Sequence, residues 1–231
     1  MPSADNKTTP ARPVRSTNLA KSAYNSPYSH LGSPSSKPHD DPYIALRAKA
    51  LATLEAMGYA PDTMVERGVL WAEDQDPFGH VMQSQYMHFL GTCFHRVMES
   101  YDEFLNEEEY NAMIQAKSVA PMVHKYELTI KRQVKYPDSL IAAWRQEHFE
   151  PTRNSGTTCL FSLQQQAIVA EVKGFVTYVD VKTGKPVDVR TLGGGWAKLY
   201  DGFVLKSEKS RARLEEWEKT HLKGKSRKAH L

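Results

Sequence analysis

The sequence predicts an α+β domain in which an antiparallel sheet wraps around one long helix. A helical apolar repeat of Tyr86, Leu90, Cys93, Phe94, Val97 and Tyr101 begins near Gln83. Strand-like runs follow it, separated only by short turns. The order is helix, strand, long helix, then four strands, and short turns between strands favour antiparallel pairing.

The chain has 231 residues, 40% hydrophobic and 25% charged, which is ordinary for a globular protein. Residues 1–40 are rich in Ser, Pro, Asn, Thr and Lys and poor in apolar side chains, so they read as a disordered tail. Their basic skew (Lys7, Arg12, Arg15, Lys21, Lys37) faintly resembles a transit peptide, but Asp5 and the lack of an amphipathic basic helix favour a plain tail. The expected compartment is therefore the cytoplasm, with the mitochondrial matrix as the alternative. A net charge of +3 points to no particular partner, and no nucleic acid is expected. Cys93 and Cys159 make neither a disulfide framework nor a metal site and suit a reducing compartment. No apolar run approaches the ~18 residues that span a membrane.

In chain order, residues 41–63 hold a helix over 42–57. Asp41 is its expected N-cap, Pro42 its first turn and Gly58 its stop. Met64 to Glu73 reads as the first strand and Gln83 to Glu103 as the central helix. A short helical excursion ends before Pro121. His124, Tyr126, Leu128 and Ile130 alternate with Lys125, Glu127, Thr129 and Lys131, a half-buried strand pattern. Leu140 to Phe149 is the next strand. Thr157 to Gln164 and Ile168 to Asp180 form a hairpin, with Ile168, Ala170, Val172, Gly174, Val176 and Tyr178 on one face. Residues 191–231 are a C-terminal extension. In it Gly193-Gly194-Gly195 reads as a flexible link and Lys206 to Leu222 as a helix. The end, Lys223 to Lys228, reads as a solvated basic tail, with acidic lipid or RNA as the weaker reading.

Between the first strand and the central helix lies Trp71-Ala72-Glu73-Asp74-Gln75-Asp76-Pro77-Phe78-Gly79-His80-Val81-Met82-Gln83. Asp74, Asp76, Pro77 and Gly79 are turn formers. Carboxylates just ahead of a helix face its free N–H groups and the positive end of its dipole. On the residues alone, capping is the simpler reading of these acids, and catalysis the other. His80, His88, His95 and Cys93 lack the paired, tight spacing of zinc ligands, so no metal is expected. No Gly-x-Ser-x-Gly elbow is present.

Asp76-Pro77-Phe78-Gly79-His80-Val81 followed by Tyr86 resembles the signature of the 4-hydroxybenzoyl-CoA thioesterase-like branch of the hot-dog superfamily. Lys135-Tyr136-Pro137-Asp138-Ser139-Leu140 resembles that family's turn between its second and third strands. Val176 to Asp180 with Gly184-Lys185-Pro186-Val187 resembles its last strand and following turn. The resemblance covers roughly residues 64–188, and where many members carry Asn-Asn this chain has Met82-Gln83. It implies a hot-dog domain over 64–190 with added N- and C-terminal helices. It also implies hydrolysis of an acyl- or aryl-CoA thioester, with CoA entering as part of the substrate and no separate cofactor.

The same resemblance implies Asp76 as nucleophile or general base and the central-helix N-terminus as oxyanion site, with Gln83 able to add a side-chain N–H. His80, Met82 and Tyr86 then line the pocket, and Lys135 is a candidate for the CoA phosphates. A homodimer or homotetramer follows, because hot-dog pockets usually form between two protomers. The second reading is a non-catalytic hot-dog protein acting as a binding or structural subunit. A hot-dog dehydratase would need a catalytic His in a different helix motif, which the sequence lacks.

Overall fold

A computed structural model describes residues 41–221. The expected tails over 1–40 and 223–228 lie outside the described residues. Helix α1, Ile44–Ala56, ends at Gly58, which takes φ +83°. There the Gly58 N–H donates to the Glu55 carbonyl and the Tyr59 N–H to the Leu54 carbonyl, the paired bonds that close a helix C-terminus. Asp41 accepts the Tyr43 N–H through Oδ1, so it anchors the chain just ahead of the helix, whose N-cap is Tyr43.

Among the described residues five strands form one sheet in the order β1-β3-β4-β5-β2, every neighbouring pair antiparallel. They are β1 Val65–Gly68, β2 Val119–Ile130, β3 Ser139–Glu150, β4 Arg153–Ser162 and β5 Ala167–Asp180. Helix α2, Trp71–Asp74, is one turn long, and helix α3 covers Gln83–Glu99. Continued by a 3₁₀ turn over Ser100–Glu103, α3 spans the length expected of the central helix. It buries Tyr86, Phe89, Leu90, Cys93 and Val97. The first four of these pack on Leu140, Ala142, Leu160, Ala170 and Val172 of the sheet. Each Leu, Val or Phe among them removed from water contributes ~1.5–3 kcal/mol before entropy is counted. The alternate residues Ile141, Ala143, Cys159 and Phe161 face the other way and pack under Ala50 and Leu54 of α1. This is the hot-dog arrangement, with the N-terminal helix covering the opposite face of the sheet.

Several boundaries differ from the sequence expectation. The run from Met64 to Glu73 is not one strand, because β1 stops at Gly68 and Trp71 to Asp74 curls into α2. The buried Asp74 carboxylate accepts the Leu70 N–H at 2.7 Å, and the Asp74 N–H donates back to the Leu70 carbonyl. These two bonds satisfy locally what a sheet ladder would otherwise take. Ile168 turns to the α1 side, away from Ala170, because the β4–β5 register slips between Leu160 and Phe161. Strand β2 begins at Val119 and carries a bulge at His124. As the sheet's end strand it leaves Tyr126 40% and Ile130 41% exposed, where the alternation implied burial.

The three glycines at 193–195 are not a flexible link. Gly193 takes φ +69°, and helix α5 runs unbroken over Gly194–His221. Helix α4, Glu107–Ile114, supplies the reason, since Glu109 Oε1 accepts the Gly195 N–H at 2.9 Å. A Cβ on Gly195 would stand 2.3 Å from that carboxylate and 2.7 Å from the Phe104 carbonyl. An acid at a helix N-terminus also meets the positive end of the dipole. Trp196, Leu199 and Phe203 of α5 then close a second core with Tyr101, Phe149 and Tyr178.

Candidate active site

The acidic turn is a small hairpin. Gln75 and Val81 form an isolated antiparallel bridge, the Asp76 N–H donates to the His80 carbonyl at 2.7 Å, and the Met82 N–H donates to the Asp74 carbonyl at 2.8 Å. At its tip Gly79 takes φ +75°, a conformation that side chains with a Cβ resist. One flank is tied to the sheet connection by the Val81 N–H, which donates to the Val134 carbonyl at 2.8 Å.

The two acids have different surroundings. Asp74 is fully buried, and besides the Leu70 N–H it accepts the Arg67 guanidinium at 3.3 Å. Asp76 keeps 31% of its side chain exposed. Its Oδ1 accepts the N–H groups of Phe78 and His80, both at 2.9 Å, while Oδ2 has no partner among the described residues. One carboxylate oxygen is therefore fixed by the backbone and the other is free of hydrogen bonds among the described residues. His80 Nδ1 lies 4.0 Å from Asp76 Oδ1, so the imidazole is adjacent without a tight bond.

Helix α3 starts just after this hairpin, and no side chain caps it. The N–H groups of Gln83 and Ser84 find no acceptor among the described residues. Asp76 stands two ladder positions from Met82, so its backbone lies ~7 Å along the strand direction from the residue that precedes the helix. Anion-stabilising donors and a free carboxylate oxygen thus share one edge of the fold.

The other sequence-selected residues divide around this edge. Gln83 is exposed at the helix start and Met82 is half-buried beside it. Phe78 is 81% exposed and does not cover the turn. Tyr86 is buried in the core under α3, with its hydroxyl directed to the Val134 backbone, and burial raises its pKa. Lys135 is exposed and directly follows Val134, which holds the hairpin. Its neighbour Tyr136 meets Trp71 edge-on, ring centres 5.6 Å apart. Cys93 faces the core, where burial raises its thiol pKa, and donates to the Thr63 carbonyl, whereas His88 and His95 on the same helix are exposed. Among the described residues no group of three or more His, Cys, Asp and Glu is placed to hold a metal.

Sequence reasoning gives no cause to single out Arg67. It stacks over the Phe89 ring at 4.8 Å while reaching Asp74, and its Nη1 is buried without a hydrogen-bond partner. It lies on a short edge strand, and only the tertiary fold brings it under the hairpin.

A family profile described as the thioesterase-like superfamily matches residues 69–192. The chain belongs to that superfamily. A search of curated proteins gave no match. Among solved structures, the fold is similar to hypothetical protein SAV2348 from Staphylococcus aureus in complex with CoA, at 10% identity and TM-score 0.51, covering 62% of this chain and 84% of that one. A DHNA-CoA thioesterase from S. aureus matches at 14% identity and TM-score 0.49, covering 60% and 88%. The probable thioesterase YbaW from Escherichia coli matches at 16% identity and TM-score 0.47, covering 61% and 98%. At these identities the likeness is one of fold. Among the described residues no helix is long and apolar enough to cross a membrane.

Proposed function

We propose that this thioesterase-like protein hydrolyses an acyl- or aryl-CoA thioester at the edge formed by Asp76 and the N-terminus of α3. Within the superfamily we place it beside the 4-hydroxybenzoyl-CoA thioesterase-like branch, on the Asp76-to-Val81 motif. The observation that carries the reading is the split carboxylate of Asp76, one oxygen held by two backbone N–H groups and the other free. The thioester carbonyl oxygen, which gains negative charge, lies against the N–H groups of Gln83 and Ser84. The free Asp76 oxygen either attacks the carbonyl carbon or takes a proton from an attacking water. In the first route the CoA thiolate leaves and water then cleaves the acyl-aspartate, returning the carboxylate and the free acid. His80 and Met82 flank the acyl group, Gln83 adds a side-chain donor and Lys135 meets CoA phosphate. CoA is the ligand held by the S. aureus protein of similar fold.

The working unit in this reading is a homodimer or a higher homo-oligomer. Among the described residues strand β2 ends the sheet with an unpaired edge, and Met122 and Val123 on it are 55% and 50% exposed. An exposed strand edge is a template for pairing with a second chain. The non-catalytic alternative keeps one feature in its favour, Met82-Gln83 where many relatives carry Asn-Asn.

The test is free-thiol release from a panel of acyl- and aryl-CoA thioesters by the wild type and Asp76→Asn. A loss of at least about a hundredfold in the variant is expected. Equal turnover by both would remove Asp76 from the chemistry. No turnover by the wild type on any thioester would favour the binding-subunit reading.

A further inference from the structure

At the far end of α3 from Asp76 lies a half-open cavity of about 210 Å³. The loop from Gly58 to Thr63, the end of α3 at Val97 and Ser100, Trp144 and Gln146 of β3, and the α5 face from Phe203 to Arg213 line it. The volume equals about seven waters and lies below that of a drug-sized site. It is separated from the catalytic turn by the length of α3, ~20 Å. Two of its four walls, the loop and α5, come from outside residues 69–192, so the added segments complete this space against the shared domain.

The wall chemistry is asymmetric. Val97, Trp144 and Phe203 are apolar or aromatic, and the polar groups among them are already satisfied. Trp144 Nε1 donates to Gln146 Oε1 at 3.2 Å, Gln146 Nε2 donates to Asn154 Oδ1 at 2.6 Å, and Asn154 donates to the Tyr101 hydroxyl at 3.1 Å. Ser100 and Thr63 donate to the carbonyls of Val97 and Ala60. The floor therefore offers surface for an apolar body, and the Tyr59 hydroxyl is the buried polar group in it without a hydrogen-bond partner among the described residues. The α5 wall instead carries three cations. Lys206 pairs with Glu103 at 2.6 Å and lies over the Phe203 ring, and Arg213 pairs with Glu55 at 3.4 Å. Lys209, between them, has no partner among the described residues, and Asp62 on the facing loop is the one carboxylate in the lining.

We infer that this cavity is a second binding site, for a small aryl carboxylate. The ring enters between Trp144 and Phe203, and the carboxylate stays at the mouth on Lys209, with Lys206 and Arg213 beside it. Aromatic walls favour a flat ring over a flexible chain, and a partly exposed cation favours an anionic head. This inference is independent of the role given to Asp76, and ligand exchange here leaves the catalytic edge open.

The experiment is a calorimetric titration of the full-length protein with phenylacetate, repeated with neutral phenylacetamide and with Lys209→Glu. Lys209 is exposed, so the substitution leaves the fold intact. Saturable binding of one phenylacetate per chain is expected. It should weaken about tenfold in Lys209→Glu and for the amide, since each removes or reverses the ionic contact. Saturating CoA should leave the affinity unchanged. Absence of saturable binding overturns the inference, as does displacement by CoA or equal affinity in Lys209→Glu.

Discussion

Replacing Asp74 and Asp76 in turn separates the two acids of the hairpin by stability and by turnover. Asp74 is fully buried and accepts from the Leu70 N–H and the Arg67 guanidinium. Asp74→Ala leaves both donors without an acceptor, and the partly exposed Arg67 guanidinium loses its counter-ion. Hydrogen bonds to a charged group are each worth ~1.5–3 kcal/mol and the guanidinium bond is long, so a loss of ~2–4 kcal/mol is expected. For a chain of this size that lowers the melting temperature by ~5–15 °C. Asp76→Asn should behave differently. Its side chain is partly exposed, and an amide oxygen still accepts the Phe78 and His80 N–H groups, so the cost should stay within ~0.5 kcal/mol. Thermal and urea unfolding followed by circular dichroism measure the first quantity, and thiol release on the same samples measures the second. Wild-type stability in Asp74→Ala would refute the structural role of Asp74. An Asp76→Asn protein as destabilised as Asp74→Ala would refute the division between them.

Gly58→Ala should destabilise by ~1–3 kcal/mol in urea titration, because the residue takes φ +83° and a Cβ would stand 2.4 Å from the Ser210 carbonyl oxygen. Tyr178→Phe should cost ~1–2 kcal/mol, since it removes the 2.6 Å bond to the Tyr101 hydroxyl inside a buried relay; an unchanged urea midpoint would mean the relay adds nothing. If the protein forms the proposed homo-oligomer through the β2 edge, Met122→Asp with Tyr126→Lys should convert it to monomer in sedimentation velocity without changing the far-ultraviolet spectrum. An undisturbed oligomer would place the interface elsewhere.

Much of the frame is determined by local sequence. The 3.6-residue repeat fixes α3 because one stripe of it must be buried, and the period-2 runs between Leu140 and Asp180 fix three strands for the same reason. The turn residues Asp76, Pro77 and Gly79 mark the hairpin ahead of α3, so the candidate site is legible as a motif. Which oxygen of Asp76 is free, and that Asp74 is buried against Arg67, are not, because those contacts depend on how the hairpin docks on β1 and α3. The glycines at 193–195 read locally as a link, yet a carboxylate 86 residues earlier makes them the start of a helix. Strand β2 alternates as if half-buried, but its place at the sheet end decides its exposure. The cavity joins residues 58–63 to 206–213, segments that approach only after both extensions pack on the domain. Periodicity and turn chemistry act over a few residues and are written in the sequence. Partners brought together by packing are selected by the whole fold, and only the tertiary structure decides them.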